Sequence, residues 1–424
     1  MLRTNTVLLK PTPEQEIVLS GLLEHSARLW NAANYERRQA LFKHLEMPSY
    51  SRQCAQFKTN EHFVALRTGK GQALLQKLRD AWMAYRGLKK LERENRLPLS
   101  IKKVHPPGYW KEDGEPVLKL FAVRCHCWSM DEKTIGVGRT LKIPYSAGVL
   151  WVGKRGRLEV RYDRVSRRWY AHVPVKLDTP EAIEKPRKAA IDLGVCNLVA
   201  LAIEGVPREW IWSGRQVLAD WQYWTKRIAG YEAGLKTVNG KDGSKDLSRL
   251  YRVRALRKNH AIDAMLRHLF EVIEDNGVGL LKFGDLTGIR NGANYGDTTN
   301  QKLHNFWPFA QVRRRICELA EEYGITVEPI DENGSSKTCV MHPNEQNGRI
   351  HRGLYRCSVL GVSYNADAGG AVNLLYGNGK VAAGGTQQAN FESLSGSGLM
   401  AQPLLLRWDY QKWSQAPETR SQRL

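Results

Sequence analysis

The segment AAIDLGVCNLVALAIEG, residues 189–205, decides how the rest of the chain is read. Two apolar runs flank Gly194, which predicts two strands joined by a tight turn, with Asp192 at the end of the first. Downstream, GVGLL at 277–281 runs into KFGDLTGIR at 282–290, a second apolar strand that ends in an acidic residue. Such an ending is a common way to place a metal-binding carboxylate. Here the acid is Asp285, and the residue before it is Gly284. Helical patterns fill residues 216–276, one of them with a basic face that carries Arg252, Arg254, Arg257 and Lys258. A helix from Pro308 to Tyr323, the strand ITVEPID, a Cys/His segment at 335–357 and YNADAGGAVNLLYG complete this half.

The first half has a different order. TNTVLLK predicts a strand, which PTPEQE ends by opening a helix with proline near its first position. Residues 14–94 keep a helical period, and residues 101–178 switch to short alternating strands separated by Gly, Asp and Ser turns. That is a small β-barrel or sandwich, which the N-terminal strand could complete. Arg155, Arg157, Arg161, Arg164, Arg167 and Arg168 make its hairpins strongly basic. From Gly377 onward the chain is rich in Gly, Ser and Gln and then basic, which predicts a flexible tail or a docking segment.

The 424 residues suffice for two or three domains, and 42% hydrophobic with 25% charged residues fits a globular protein. The formal net charge of +21 points to a polyanion, nucleic acid above all. No apolar run reaches the roughly 18 residues of a membrane span. MLRTNTVLLKPTPEQE has no secretory-signal pattern, and the seven cysteines are scattered, so a cytosolic location without a disulfide framework is expected.

Two acids stand out by position. Asp192 ends a strand and Asp367 begins a helix; brought together they could hold divalent ions for phosphodiester hydrolysis, which usually takes three or four carboxylates. Each alone also reads as a turn aspartate or a helix cap. Cys339-x2-His342, fourteen residues and then Cys357-x2-Leu360 suggest a zinc site short of its fourth ligand, which His351 could supply.

The order of AAIDLGVCNLVAL, GLLKFGDL, the Trp307–Phe309 helix, SSKTCVMH, YRCSVLG and YNADAGGAVNLL resembles the C-terminal half of transposon-encoded TnpB proteins and of the compact type V CRISPR effectors. The resemblance covers about residues 186–376. It implies an α/β multidomain fold: an oligonucleotide-binding-type β-barrel (1–10 and 96–180) with an inserted helical recognition lobe (11–95), then a RuvC-like, RNase H-like domain (186–334 and 358–376). A small degenerate zinc-ribbon insert (335–357) and a flexible basic tail (377–424) follow from the same reading.

By the resemblance Asp192 matches the first nuclease acid and Asp367 the third, while Gly284 stands where the second belongs. Asp285, one residue on, would point to the opposite face of a strand. Ser335, Ser336, Cys339 and Cys357 match the insert, with His342 and Leu360 replacing two of its cysteines. The implied partners are guide RNA and double-stranded target DNA, with zinc in the insert, magnesium if the nuclease is active, and a protein partner on the tail. The arginines of the hairpins and of the basic helix face would contact nucleic acid. The reading favours a nucleoid-associated prokaryotic protein that binds its target and cuts poorly or not at all. The alternatives are an active nuclease using a repositioned acid such as Asp285 or Glu332, and an unguided basic nucleic-acid-binding protein.

Overall fold

The computed structural model describes residues 1–98, 101–146, 148–180, 185–240, 243–284, 305–330, 335, 337–340, 342, 348–351, 353–377 and 403–416. It divides into two compact units, Met1–Asp178 and Thr179–Leu424. Among the described residues no helix is long and apolar enough to cross a membrane.

In the first unit β1 (Leu2–Leu9) leads into α1 (Pro13–Phe42). Thr12 caps this helix in a capping box with Gln15, and Pro13 takes a first-turn position where its missing N–H costs nothing. α2 (Tyr50–Gln56) and α3 (Glu61–Arg93), kinked at Arg67, complete the helices. β2 (Lys111–Glu112) and β3 (Glu115–Pro116) pair with each other. β4 (Phe121–Val123), β5 (Trp128–Met130), β6 (Thr134–Val137), β7 (Leu141–Ser146), β8 (Lys154–Arg155), β9 (Leu158–Asp163) and β10 (Arg168–Lys176) then build the sheet β4-β9-β10-β1-β7-β6-β5, with β8 also on β10.

The expected barrel is therefore an open path among the described residues. Its two end strands, β4 and β5, are separated by one short helical turn, Cys125–Cys127, and do not pair with each other among the described residues. Leu19, Leu23 and Trp30 of α1 and Leu74 and Leu78 of α3 share one core with Val7, Val160 and Ala171 of the sheet. The inserted helices and the strands are thus one folding unit.

The second unit is a mixed sheet. β11 (Arg187–Leu193) and β12 (Asn197–Ile203) form the hairpin expected at 189–205. A Cβ at Gly194 would lie 2.4 Å from the Asn197 carbonyl oxygen, so the turn demands glycine. β13 (Trp210–Ser213) precedes α4 (Arg215–Asn239) and α5 (Lys245–Asp275). β14 (Val278–Gly284), α6 (Phe309–Tyr323) and β15 (Thr326–Ile330) follow. β16 (Arg349–His351), β17 (Leu354–Arg356) and β18 (Ser363–Asn365) form a small ladder that feeds α7 (Ala366–Tyr376). One face of the hairpin, through Ile191 and Leu201, packs on Leu269 and Phe270 of α5 and on Val312 and Ile316 of α6. The other, through Ala190, Ala200 and Ala202, packs on Ala368, Ala371 and Leu374 of α7.

The expected flexible tail does not hold for its described part. β19 (Leu404–Trp408) joins the sheet parallel to β13, and β20 (Trp413–Gln415) pairs back on β19, giving the order β15-β14-β11-β12-β13-β19-β20. Leu406, Trp408 and Trp413 are buried, and Trp413 Nε1 donates to the Ala261 carbonyl at 3.0 Å. Alternating apolar residues close the sheet edge against α5, which a merely basic segment could not do. Trp413→Ala should lower the unfolding free energy by about 3–5 kcal/mol, read as a fall in Tm. An unchanged Tm would show that the hairpin adds nothing to the sheet.

Candidate functional site

Small residues set the geometry of the site. Ala190, Ala200 and Ala202 on the sheet pack with Ala368 and Ala371 of α7, and Gly370 presents no side chain over Asp192, so the helix lies close. A Cβ on Gly370 would sit 2.7 Å from Asp192 Oδ2, and one on Gly369 would sit 2.6 Å from the Tyr364 ring. The helix backbone is thus laid directly against the Asp192 carboxyl. Burial pushes that carboxyl up to about 7; the Asp367 charge adds to the shift and Arg349 opposes it.

Asp367 is not the cap of its helix. Asn365 is, accepting from the backbone N–H groups of Asp367 and Ala368. The Asp367 side chain is left free to reach across: Oδ2 accepts from Asn197 Nδ2 at 2.7 Å, and Oδ1 lies 3.5 Å from Arg349 Nη2. The two acids expected from the sequence therefore do come together. Asn197 and Arg349 were missed. Asn197 had a signal, as a polar residue at the turn of an apolar hairpin. Arg349 had none, because only the β16–β17–β18 ladder folds it back over α7.

The position expected to hold the second acid is in place and lacks a side chain. β11 and β14 run parallel, with Ala190 beside Lys282 and Ile191 beside Phe283, so the next step of the ladder sets Gly284 beside Asp192. Lys282 donates to the Leu375 carbonyl of α7, so by alternation position 284 faces the same helix. Asp285 and Glu332 lie outside the described residues.

Cys339, His342 and Cys357 form a cluster whose ligand atoms lie within 4.8 Å of one another. His342 Nδ1 is 3.1 Å from Cys357 Sγ, which also accepts from the Leu360 backbone N–H at 3.4 Å. The side chains of Ser336 and His351 lie outside the described residues.

Several of the ten candidate basic residues have structural partners. Arg157 bonds Asp80 of α3 at 3.0 Å, tying β9 to the helices. Arg155 lies over the Trp128 ring. Arg257 makes two 2.8 Å bonds to Asp220 of α4, Arg254 lies over Trp221 and Tyr251, and Lys258 donates to the Phe306 carbonyl. Arg252 is half-buried on the same helix. Arg161, Arg164, Arg167 and Arg168 are exposed on the β9–β10 hairpin.

Residues 172–290 match the family model OrfB_IS605, described as a probable transposase. Residues 309–374 match the Cas12f1-like TNB domain. The chain is 30% identical over 416 residues to the TnpB-like protein ORF457 of Acidianus two-tailed virus, covering 88% of this chain and 86% of that one. The chain belongs to the TnpB-like family. It is also 25% identical over 252 residues to the CRISPR-associated endodeoxyribonuclease Cas12f1 of Sulfoacidibacillus thermotolerans, 57% of each chain. A solved Cas12f1–sgRNA–target DNA complex shares the fold, with a TM-score of 0.57 at 13% identity over 86% of this TnpB-like chain and 83% of that one. These findings put the chain in the TnpB and type V effector superfamily.

The buried acid gives a pH signature. The folded-state value of Asp192 lies above its ordinary 3.8, so the native state holds the proton more tightly than the unfolded one. Its ionisation therefore removes stability as pH rises from about 4 to about 7, on the order of a few kcal/mol in all. Asp192→Asn removes that cost. Its Tm should exceed the wild-type value at pH 8, with the gap shrinking towards pH 5; a gap independent of pH would contradict the burial.

Proposed function

We propose that this TnpB-like chain is an RNA-guided DNA-binding protein that holds double-stranded target DNA without cutting it, and so acts by occupying the site. The observation that carries the reading is Gly284, beside Asp192 on the face where a second carboxylate would stand. Two-metal phosphodiester cleavage uses three or four carboxylates to hold ions about 4 Å apart. Among the described residues the site offers two: Asp192, shifted to about 7 by burial, and Asp367, already bound by Asn197 and Arg349. That donor set does not fit a pair of magnesium ions. Guide RNA and the target duplex would be held by basic surfaces, base pairing supplying the specificity and the exposed arginines of the β9–β10 hairpin contacting phosphates.

The cysteine cluster fits a zinc ion better. Cys339, His342 and Cys357 supply three of the usual four donors, and a bound ion would pin the β16–β18 ladder, and with it Arg349, over α7. Metal analysis of the purified protein should find about one zinc per chain, lost in Cys357→Ser; equal zinc in both would remove the site.

The functional test pairs sequencing of the RNA that co-purifies with the chain and a cleavage assay. One defined RNA is expected, with tight binding of a matching duplex and no magnesium-dependent cleavage above an Asp192→Ala control. Cleavage that Asp192→Ala abolishes would overturn the inactive reading. RNA of mixed, undefined sequence would overturn the guided one.

A further inference from the structure

Beyond the acid site, the first unit carries a cavity of about 270 Å³ where α1 ends against α3. We infer that this cavity binds one unstacked nucleobase of the nucleic acid the protein holds, an inference that rests on the nucleic-acid-binding reading above. Its size lies just under the roughly 300–1,000 Å³ of sites for drug-sized ligands, which suits a single heterocycle. None of its lining residues is acidic, and Arg86 is exposed among them. Tyr85, half-buried, is the aromatic side chain able to offer a ring face. Behind it stands Trp82, edge-on at 5.5 Å and 83° and only 2% exposed. Trp82 Nε1 is fixed by a 2.9 Å bond to Asn34, which in turn donates to the Pro107 and Gly108 carbonyls. Trp82, against which Tyr85 rests, is thus held in place before anything binds. One turn before Leu41 on α1, Arg37 is 3% exposed and has a buried Nη2 without a partner among the described residues.

The end of α1 supplies the independent observation. The Leu45 N–H bonds the Ala40 carbonyl and the His44 N–H bonds the Leu41 carbonyl, the pattern of a Schellman cap. Its left-handed position, with φ of 54°, holds His44 where glycine would be unstrained. Both His44 and Leu45 line the cavity. Keeping a strained histidine at a cavity wall fits a side chain that contacts a ligand. Tyr85 would stack on the base, His44 would meet its polar edge, and Arg86 would take the adjoining phosphate.

The test uses the full chain with single-stranded probes of about twelve nucleotides, oligo(U) RNA and oligo(dT) DNA, each with one central 2-aminopurine and an end label. Anisotropy of the label reads binding, and 2-aminopurine emission reads insertion of the base. Wild type should quench the 2-aminopurine on binding, and the arm that quenches identifies the strand. His44→Gly should keep or raise the Tm, because it relieves the positive φ, yet lose the quench and bind about tenfold more weakly. Tyr85→Leu should lose the quench as well. Binding with no quench, or a quench that both variants keep, would overturn the pocket while leaving nucleic-acid binding intact. Failure of both probes to bind at all would overturn the pocket together with the reading it rests on.

Discussion

The second unit depends on how closely α7 lies on the β11–β12 hairpin. The approach rests on alanines packing against alanines across it and on Gly370 over Asp192, and it is held at both ends of the helix. At the N-terminal end Asn365 caps the backbone, and Asp367 sits in the first turn, where the helix dipole favours an anion. At the C-terminal end Lys282, reaching from β14, bonds the Leu375 carbonyl, where the dipole favours a cation. Between them the helix backbone covers Asp192. One packing decision thereby sets the charge state of the acid, the reach of Asp367 and the face on which position 284 opens.

A glutamate at position 284 would bring a further negative charge beside Asp192, which is already costly to ionise, and would raise its pKa again. With metal ions bound, that cost is offset by their charge; without them it is a net loss. Gly284 removes the conflict. Arg349 then gives Asp367 the cationic neighbour that a metal would have supplied, with a single charge in place of two divalent ions. A guanidinium can hold a carboxylate or a phosphate in position. Lowering the pKa of a bound water to make a nucleophile near neutral pH is the work of a metal ion.

Much of this was legible in the sequence wherever the signal was local. The hairpin at Gly194, the helix start at PTPEQE, and the acids Asp192 and Asp367 each show in a few consecutive residues. What was not legible depended on separation along the chain. Arg349 reaches the site through a three-strand ladder, and no pattern near it announces Asp367. The strands at 404–408 and 413–415 were hidden because composition outweighed period: Leu404, Leu406 and Trp408 alternate as a strand should, behind a long Gly- and Ser-rich approach. The basic residues were counted as charge, whereas Arg157 and Arg257 are paired with Asp80 and Asp220. A sequence counts cations and cannot say which ones have partners.

The same electrostatics bears on why a site of this kind would suit binding. Three ionised carboxylates with no metal repel a phosphate, each uncompensated charge costing about 1 kcal/mol at 4 Å in water and several times more where the dielectric falls. Here one acid position is glycine, burial favours the neutral form of Asp192, and Asp367 is matched by Arg349. The floor of the site then carries less negative charge than three ionised carboxylates would. On the proposed reading, a duplex brought to it by basic surfaces elsewhere would meet little resistance without magnesium. On the proposed reading the loss of chemistry and the gain of a tolerant binding surface are one change, made by removing a single carboxylate from the strand beside Asp192.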